Sequence, residues 1–165
     1  MRRSVKLNLG CSDDHRPGYV NVDIAPPADQ IVDLRESWPW GNSSIEEIIA
    51  WDCFEHLPSK IHTLNEAWRV LRPGGRLDMR VPAVALADGR VNVGAFADPT
   101  HRSFWTMDDR YYFLEQYNNP EGERGRLGPA YGISALFRAI KWDLLEYGSG
   151  PERRSKVIAI LEAVK

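Results

Sequence analysis

The chain has 165 residues, 43% hydrophobic and 27% charged, with a net charge of −2. This is enough chain for one domain with a proper core and an ordinary globular composition. No apolar run nears the roughly 20 residues of a membrane helix, and the two cysteines, Cys11 and Cys53, cannot by themselves build a disulfide framework or a zinc site. The acidic balance argues against a dominant electrostatic footprint for nucleic acid, without excluding a local basic patch. Arg2-Arg3 is followed by no apolar stretch of signal-peptide length. A cytoplasmic protein with free thiols is therefore expected.

Four short β-like runs open the chain. Val5–Leu9 alternates apolar and polar residues and stops at Gly10. Tyr19–Val22 stops at Asp23, Gln30–Val32 at Asp33, and Glu47–Trp51 at Asp52. Three runs that end in a carboxylate and one that ends in glycine predict strands whose carboxyl ends share a polar edge. Pro58-Ser59 then starts a helix with Ile61, Leu64, Ala67, Trp68 and Leu71 at helical spacing, and Arg72-Pro73-Gly74-Gly75 stops it. Arg76–Val81 alternates as a fifth strand, so strand, helix and strand read as a right-handed parallel unit.

After Pro82 the pattern loosens. Ala83–Arg102 predicts a long connection with a short helix, Thr106 predicts a helix N-cap, and Asn118–Gly132 predicts a loop. Ala139–Leu144 and Ser155–Val164 read as strands across a short turn-rich segment, a hairpin that sets one antiparallel strand at the edge of a parallel sheet. The seven Arg and Lys residues from Arg124 to Lys156 are mixed with acids and predict a solvated face.

Leu7-Asn8-Leu9-Gly10-Cys11-Ser12 lets backbone approach a ligand where no side chain intervenes. It lacks the glycines of a pyrophosphate cradle, because Ser12 and His15 occupy their places. Asp23 stands where nucleotide-binding Rossmann folds keep a ribose-binding acid. It follows Gly10 by only 13 residues, so the intervening helix must be short or missing. Asp33-Leu34 can accept from an exocyclic amine and cover a ring face. Asp98-Pro99-Thr100-His101 offers an imidazole able to act as a general base, with a carboxylate to orient it.

In order, L-N-L-G-C, V-N-V-D, D-L, E-H-L and R-V-L-R-P-G-G-R-L (residues 5 to 82) resemble the class I S-adenosylmethionine-dependent methyltransferases, particularly the group related to the ubiquinone and menaquinone methyltransferases. The resemblance implies a Rossmann-like, doubly wound, three-layer αβα fold. Its mostly parallel sheet carries an antiparallel C-terminal edge hairpin, and its N-terminal helices are truncated. It implies a single domain over 1–165, with a cofactor-binding half at 1–82 and a substrate-side half at 83–165. Gly10 and Cys11 would meet the methionine part of S-adenosylmethionine, Asp23 the ribose, Ile24, Asp33 and Leu34 the adenine, and Asp52 the sulfonium end. S-adenosylhomocysteine would be the product. His101, then His56, are the candidate bases, and no metal ligand is assigned.

The expected acceptor is an oxygen or nitrogen of a small molecule or glycan, with nucleic acid not excluded. The missing N-terminal helices leave the site open or closed by a partner subunit, as in a homodimer. Two alternatives stand beside this expectation. One is a cofactor-binding module without transfer activity. The other is a metal-assisted O-methyltransferase acting on nucleic acid, since Asp52, Glu55, His56 and His101 resemble the acid-x-x-Glu-His arrangement, with a later histidine, of metal-dependent small-RNA O-methyltransferases. An NAD-dependent oxidoreductase competes as well: Asp23 suits it and the missing glycines do not.

Overall fold

The computed structural model describes residues 5–118 and 127–165. Part of the predicted loop Asn118–Gly132, residues 119–126, lies outside the described residues; Pro129–Tyr131 forms a 3-10 turn. One sheet of seven described strands organises the rest. The strands are β1 (Val5–Leu9), β2 (Val20–Asp23), β3 (Gln30–Ile31), β4 (Ile45–Trp51), β5 (Leu71–Pro82), β6 (Phe137–Tyr147) and β7 (Arg154–Ala163). They lie in the order β3-β2-β1-β4-β5-β7-β6. The first five run parallel. β7 enters antiparallel between β5 and β6. The predicted hairpin therefore forms at the sheet edge, with the antiparallel strand one place inside it.

Between β4 and β5 runs the longest described helix, α1 (Lys60–Val70), and Ser59 caps it by accepting from the His62 amide at 3.1 Å. Its buried Leu64, Ala67 and Val70 join the core. The connection after β5 holds the short helix α2 (Gly94–Ala97). Thr106 then opens a 3-10 turn by donating its amide to Asp109 at 2.7 Å, and α3 (Arg110–Phe113) follows. The result is the Rossmann-like αβα class with an antiparallel C-terminal hairpin. No described helix is long and apolar enough to cross a membrane.

Strand alternation sends Leu7, Leu9, Ile48, Ala50, Leu77, Met79, Val157, Ala159 and Leu161 into one buried cluster. The intervening residues, Lys6, Glu47, Arg76, Asp78, Arg80 and Lys156 among them, face the other side. Charges of opposite sign meet across strands there: Lys6 bonds Glu47 at 2.9 Å, and Glu47 stands in register with Arg76. Between β1 and β2, where ten residues leave little room for a helix, the chain crosses this side as an irregular segment. Asn8 donates to the Asp14 carbonyl at 2.6 Å and to Asn21 at 3.0 Å, and the Arg16 amide donates to Asn21 at 2.8 Å. The Arg16 guanidinium lies 3.9 Å from the centre of the Trp51 ring, and Arg80 lies 3.4 Å from the same ring. A polar network thus takes the place of a helix. Of the predicted solvated face, Arg124 and Arg126 lie outside the described residues, and Arg138 is paired to Glu115 and Glu162, and Arg153 to Glu146 and Asp88.

Candidate functional site

The chain turns left after β1 toward β2 and right from β4 toward β5, so the carboxyl ends of β1 and β4 part. Crevices at such a switch point are where open α/β sheets place ligands. A cavity of about 330 Å³ opens here, within the size range of small-molecule sites, about 300–1,000 Å³. Gly10, Ser12, Asp23 and Ile24 line one side, Val32, Asp33, Leu34 and Arg35 the floor, and Asp52, Cys53, His56 and Leu57 the far end. Gly10, Asp23, Asp33 and Asp52, four positions distant in sequence, meet in this one cavity.

Local chemistry explains each placement. Gly10 has φ +65°, and a Cβ there would sit 2.7 Å from Cβ and Sγ of Cys53. Glycine is therefore required by the approach of the turn after β4. Ser12 stands where the methyltransferase pattern has its second glycine, and it adopts the left-handed conformation itself, with φ 42°. Its amide donates to Asp23 Oδ2 at 2.9 Å, while Asp23 Oδ1 accepts the Ile24 amide at 2.7 Å. Oδ1 also accepts the Ala25 amide at 3.4 Å, so Oδ2 keeps the spare lone pair for a ligand hydroxyl. Ile24, 57% exposed, forms an apolar rim beside it.

Asp33 is bonded by Arg35, from Nε at 2.8 Å and from Nη2 at 2.6 Å. This fork, with the Arg35 amide, holds its carboxyl down at about 2. Asp33 therefore meets a ligand as half of an ion pair, and Arg35 is a cavity residue that no sequence signal marked. At the far end Asp52 takes φ 51° and accepts from Lys156 Nζ of β7 at 2.6 Å. Lys156 was equally invisible in the sequence, because only strand register brings it across β5. Cys11 does not line the cavity: its Sγ is buried and lies 3.9 Å from the Pro27 carbonyl. Leu34 does, and is buried. No tryptophan lines the cavity, and Trp38 and Trp105 are core residues.

The two histidines stand one behind the other. His56 lines the cavity; His101 packs edge-on behind it with ring centroids 5.1 Å apart. Glu55, in the same 3-10 turn as His56, is buried, and its carboxyl Oε2 has no hydrogen-bond partner. Burial pushes this carboxyl up to about 7. The Glu55 carbonyl accepts the amides of Arg102 at 2.7 Å and Ser103 at 3.0 Å, which pins the return connection over the turn. One ligand atom each from Glu55, His56 and His101 lies within 4.8 Å of the others. Asp52 is not part of this group; Lys156 engages it instead. The apolar Val32, Leu34 and Ile24 beside an acid with a spare lone pair suit an adenosine, and the same cavity is lined by His56.

No protein-family profile and no curated protein matches the chain. Solved structures do match its fold. A Bacillus halodurans protein superposes with a TM-score of 0.66 at 12% identity, covering 97% of this chain and 92% of its own. An S-adenosylmethionine-dependent methyltransferase from Archaeoglobus fulgidus gives 0.58 at 11% identity, covering 96% and 86%. A Burkholderia thailandensis 1,6-didemethyltoxoflavin N1-methyltransferase, solved with its substrate and S-adenosylhomocysteine, gives 0.57 at 14% identity, covering 99% and 72%. The fold is thus that of the class I S-adenosylmethionine-dependent methyltransferases.

Proposed function

We propose that this protein is an S-adenosylmethionine-dependent methyltransferase that passes the methyl group to an oxygen or nitrogen of a small molecule or glycan, and that it stands with the ubiquinone and menaquinone methyltransferase group. The observation that carries this reading is the meeting of Gly10, Asp23, Asp33 and Asp52 in one cavity at the switch point of a class I fold. When bound, the cofactor supplies an electrophilic methyl group on a positive sulfur. Asp23 would hold the ribose hydroxyls, Ile24 and Leu34 would sandwich the adenine, and the Asp33–Arg35 pair would meet its edge. Asp52 and the Gly10 backbone would lie along the methionine end. The chain's main contribution is alignment of donor and acceptor, an effect worth up to roughly 7–11 kcal/mol. His56, which lines the cavity, would take a proton from a hydroxyl acceptor.

A second reading is favoured by the Glu55 cluster. A buried carboxylate oxygen with no partner and two imidazoles face one another, an arrangement of acceptors that calls for a positive species between them. Two imidazoles and a carboxylate suit a borderline divalent cation, which would bind an acceptor hydroxyl. That is the metal-assisted O-methyltransferase, with nucleic acid among its acceptors. Calorimetry tests both readings. S-adenosylhomocysteine should bind and NAD should not; NAD binding without S-adenosylhomocysteine binding would reverse the assignment. Zinc or manganese should bind wild-type protein and fail to bind His101→Ala if the second reading holds.

A further inference from the structure

The return connection is tied to His56 as well as to the Glu55 carbonyl. Asp98 Oδ1 accepts the Thr100 amide at 2.8 Å and the Thr100 hydroxyl at 2.6 Å. Thr100 Oγ1 lies 3.0 Å from Nδ1 of His56, on a turn 44 residues away in sequence. The Thr100 carbonyl faces the same nitrogen at 3.4 Å.

The proton count at this junction has one solution. The Asp98 carboxyl already accepts two hydrogen bonds from Thr100, and an aspartate is ionised at neutral pH, so it can only accept. The single hydroxyl proton of Thr100 is committed to Asp98, so Oγ1 can only accept from His56. The Thr100 carbonyl also only accepts. Nδ1 of a neutral His56 must then carry the proton, and Nε2 is left with its lone pair. His101 is held in the same form by a simpler device: its Nδ1 lies 2.8 Å from the Ala95 carbonyl.

We propose that Asp98 and Thr100 are positioning residues, which lock His56 in its Nδ1–H tautomer and present the Nε2 lone pair to the cavity. This deepens the methyltransferase reading and rests on it for its purpose. At a hydroxyl acceptor, the proton passes to Nε2 while the new oxygen–carbon bond forms and the carbon–sulfur bond breaks, its electron pair staying on sulfur. In the cation reading the same lone pair becomes the ligand, and a hydrogen bond at the other ring nitrogen is the usual way such a ligand is oriented. The opposite tautomer would serve neither chemistry.

An Asx turn alone would also explain the contacts inside Asp98–Thr100, so the test must look at His56. Two-bond proton–nitrogen correlation spectra of the four histidines, assigned by substitution and recorded at about pH 8 with excess S-adenosylhomocysteine, report the tautomer of each neutral ring. Wild-type His56 should show protonated Nδ1 and bare Nε2. Thr100→Val keeps the side-chain shape and the Thr100 amide bond to Asp98, and should populate the other tautomer. Thr100→Ser should restore the wild-type pattern. Asp98→Ala frees the hydroxyl proton to turn toward His56 and should shift the ring the same way as Thr100→Val. A wild-type His56 protonated at Nε2, or a Thr100→Val spectrum unchanged from wild type, overturns the proposal. Shift changes on adding S-adenosylhomocysteine report cofactor binding in the same samples, so loss of the cofactor reading shows separately from loss of the tautomer lock.

Discussion

The two ends of the cavity are built on opposite electrostatic plans. At the β2–β3 end the acids are satisfied: Asp23 by three backbone amides and Asp33 by the Arg35 fork. At the β4 end Glu55 is buried with an oxygen bare, beside the imidazoles of His56 and His101. The first end is pre-organised for recognition, since its groups need not rearrange to receive a ligand. The second carries an unmet demand for positive charge, which is where chemistry that moves protons or binds a cation belongs.

The sharpest way to break this contrast is Glu55→Gln. The carboxyl sits at about 7 in the fold, above its ordinary 4.5. Its contribution to stability is therefore full below about pH 4.5 and is lost as pH rises through 7. In chelator-treated protein, Glu55→Gln should lack this loss and gain on wild type by on the order of 3 kcal/mol between about pH 4 and pH 8. Denaturant unfolding at the two pH values measures it. Parallel pH profiles would mean that the carboxyl has a partner after all and that the two ends are alike.

Asp23→Ala tests the recognition end. Losing charged acceptors of ribose hydroxyls should weaken S-adenosylhomocysteine by about 10- to 100-fold, since hydrogen bonds to charged groups contribute about 1.5–3 kcal/mol. Calorimetry against wild type reads this directly, and unchanged affinity would detach the acid from the ribose. The smallest effect belongs to Arg35→Ala. An exposed pair contributes about 0–1 kcal/mol, so melting should barely change, while S-adenosylhomocysteine affinity should move by no more than about fivefold. A collapse of affinity would make Arg35 a primary ligand contact.

Much of this architecture was legible in the residues. The alternation of Val5–Leu9, the helix from Lys60 and the late hairpin follow from periodicity and turn chemistry, and the structure has all three. The short spacing from Gly10 to Asp23 announced the missing helix. Four cavity positions could be named because each closes a strand at the same edge. Arg35 and Lys156 could not: one lines the cavity by folding back on Asp33, the other engages Asp52 through antiparallel register on β7. The sequence also placed Cys11 beside the ligand, though its thiol turns away from the cavity, and it ranked His101 above His56, though only His56 reaches the lining. Side-chain direction just past a strand end depends on φ, as the left-handed Ser12 and Asp52 show, and periodicity carries no signal for that.

The polar side of the sheet has a consequence for how the protein tolerates change. Apolar packing is gathered on the α1 side, so Leu77 or Met79 cannot be truncated without opening a void. Their strand neighbour Arg76 is exposed, on a surface where shape complementarity is not required, while Asp78 is half-buried under Trp51. The strands therefore behave as a veneer with one fixed and one editable face. A designer could rewrite exposed charges such as Arg76 on that side, provided that Lys156 on Asp52 and the Asn8–Asn21 and Trp51 contacts are kept.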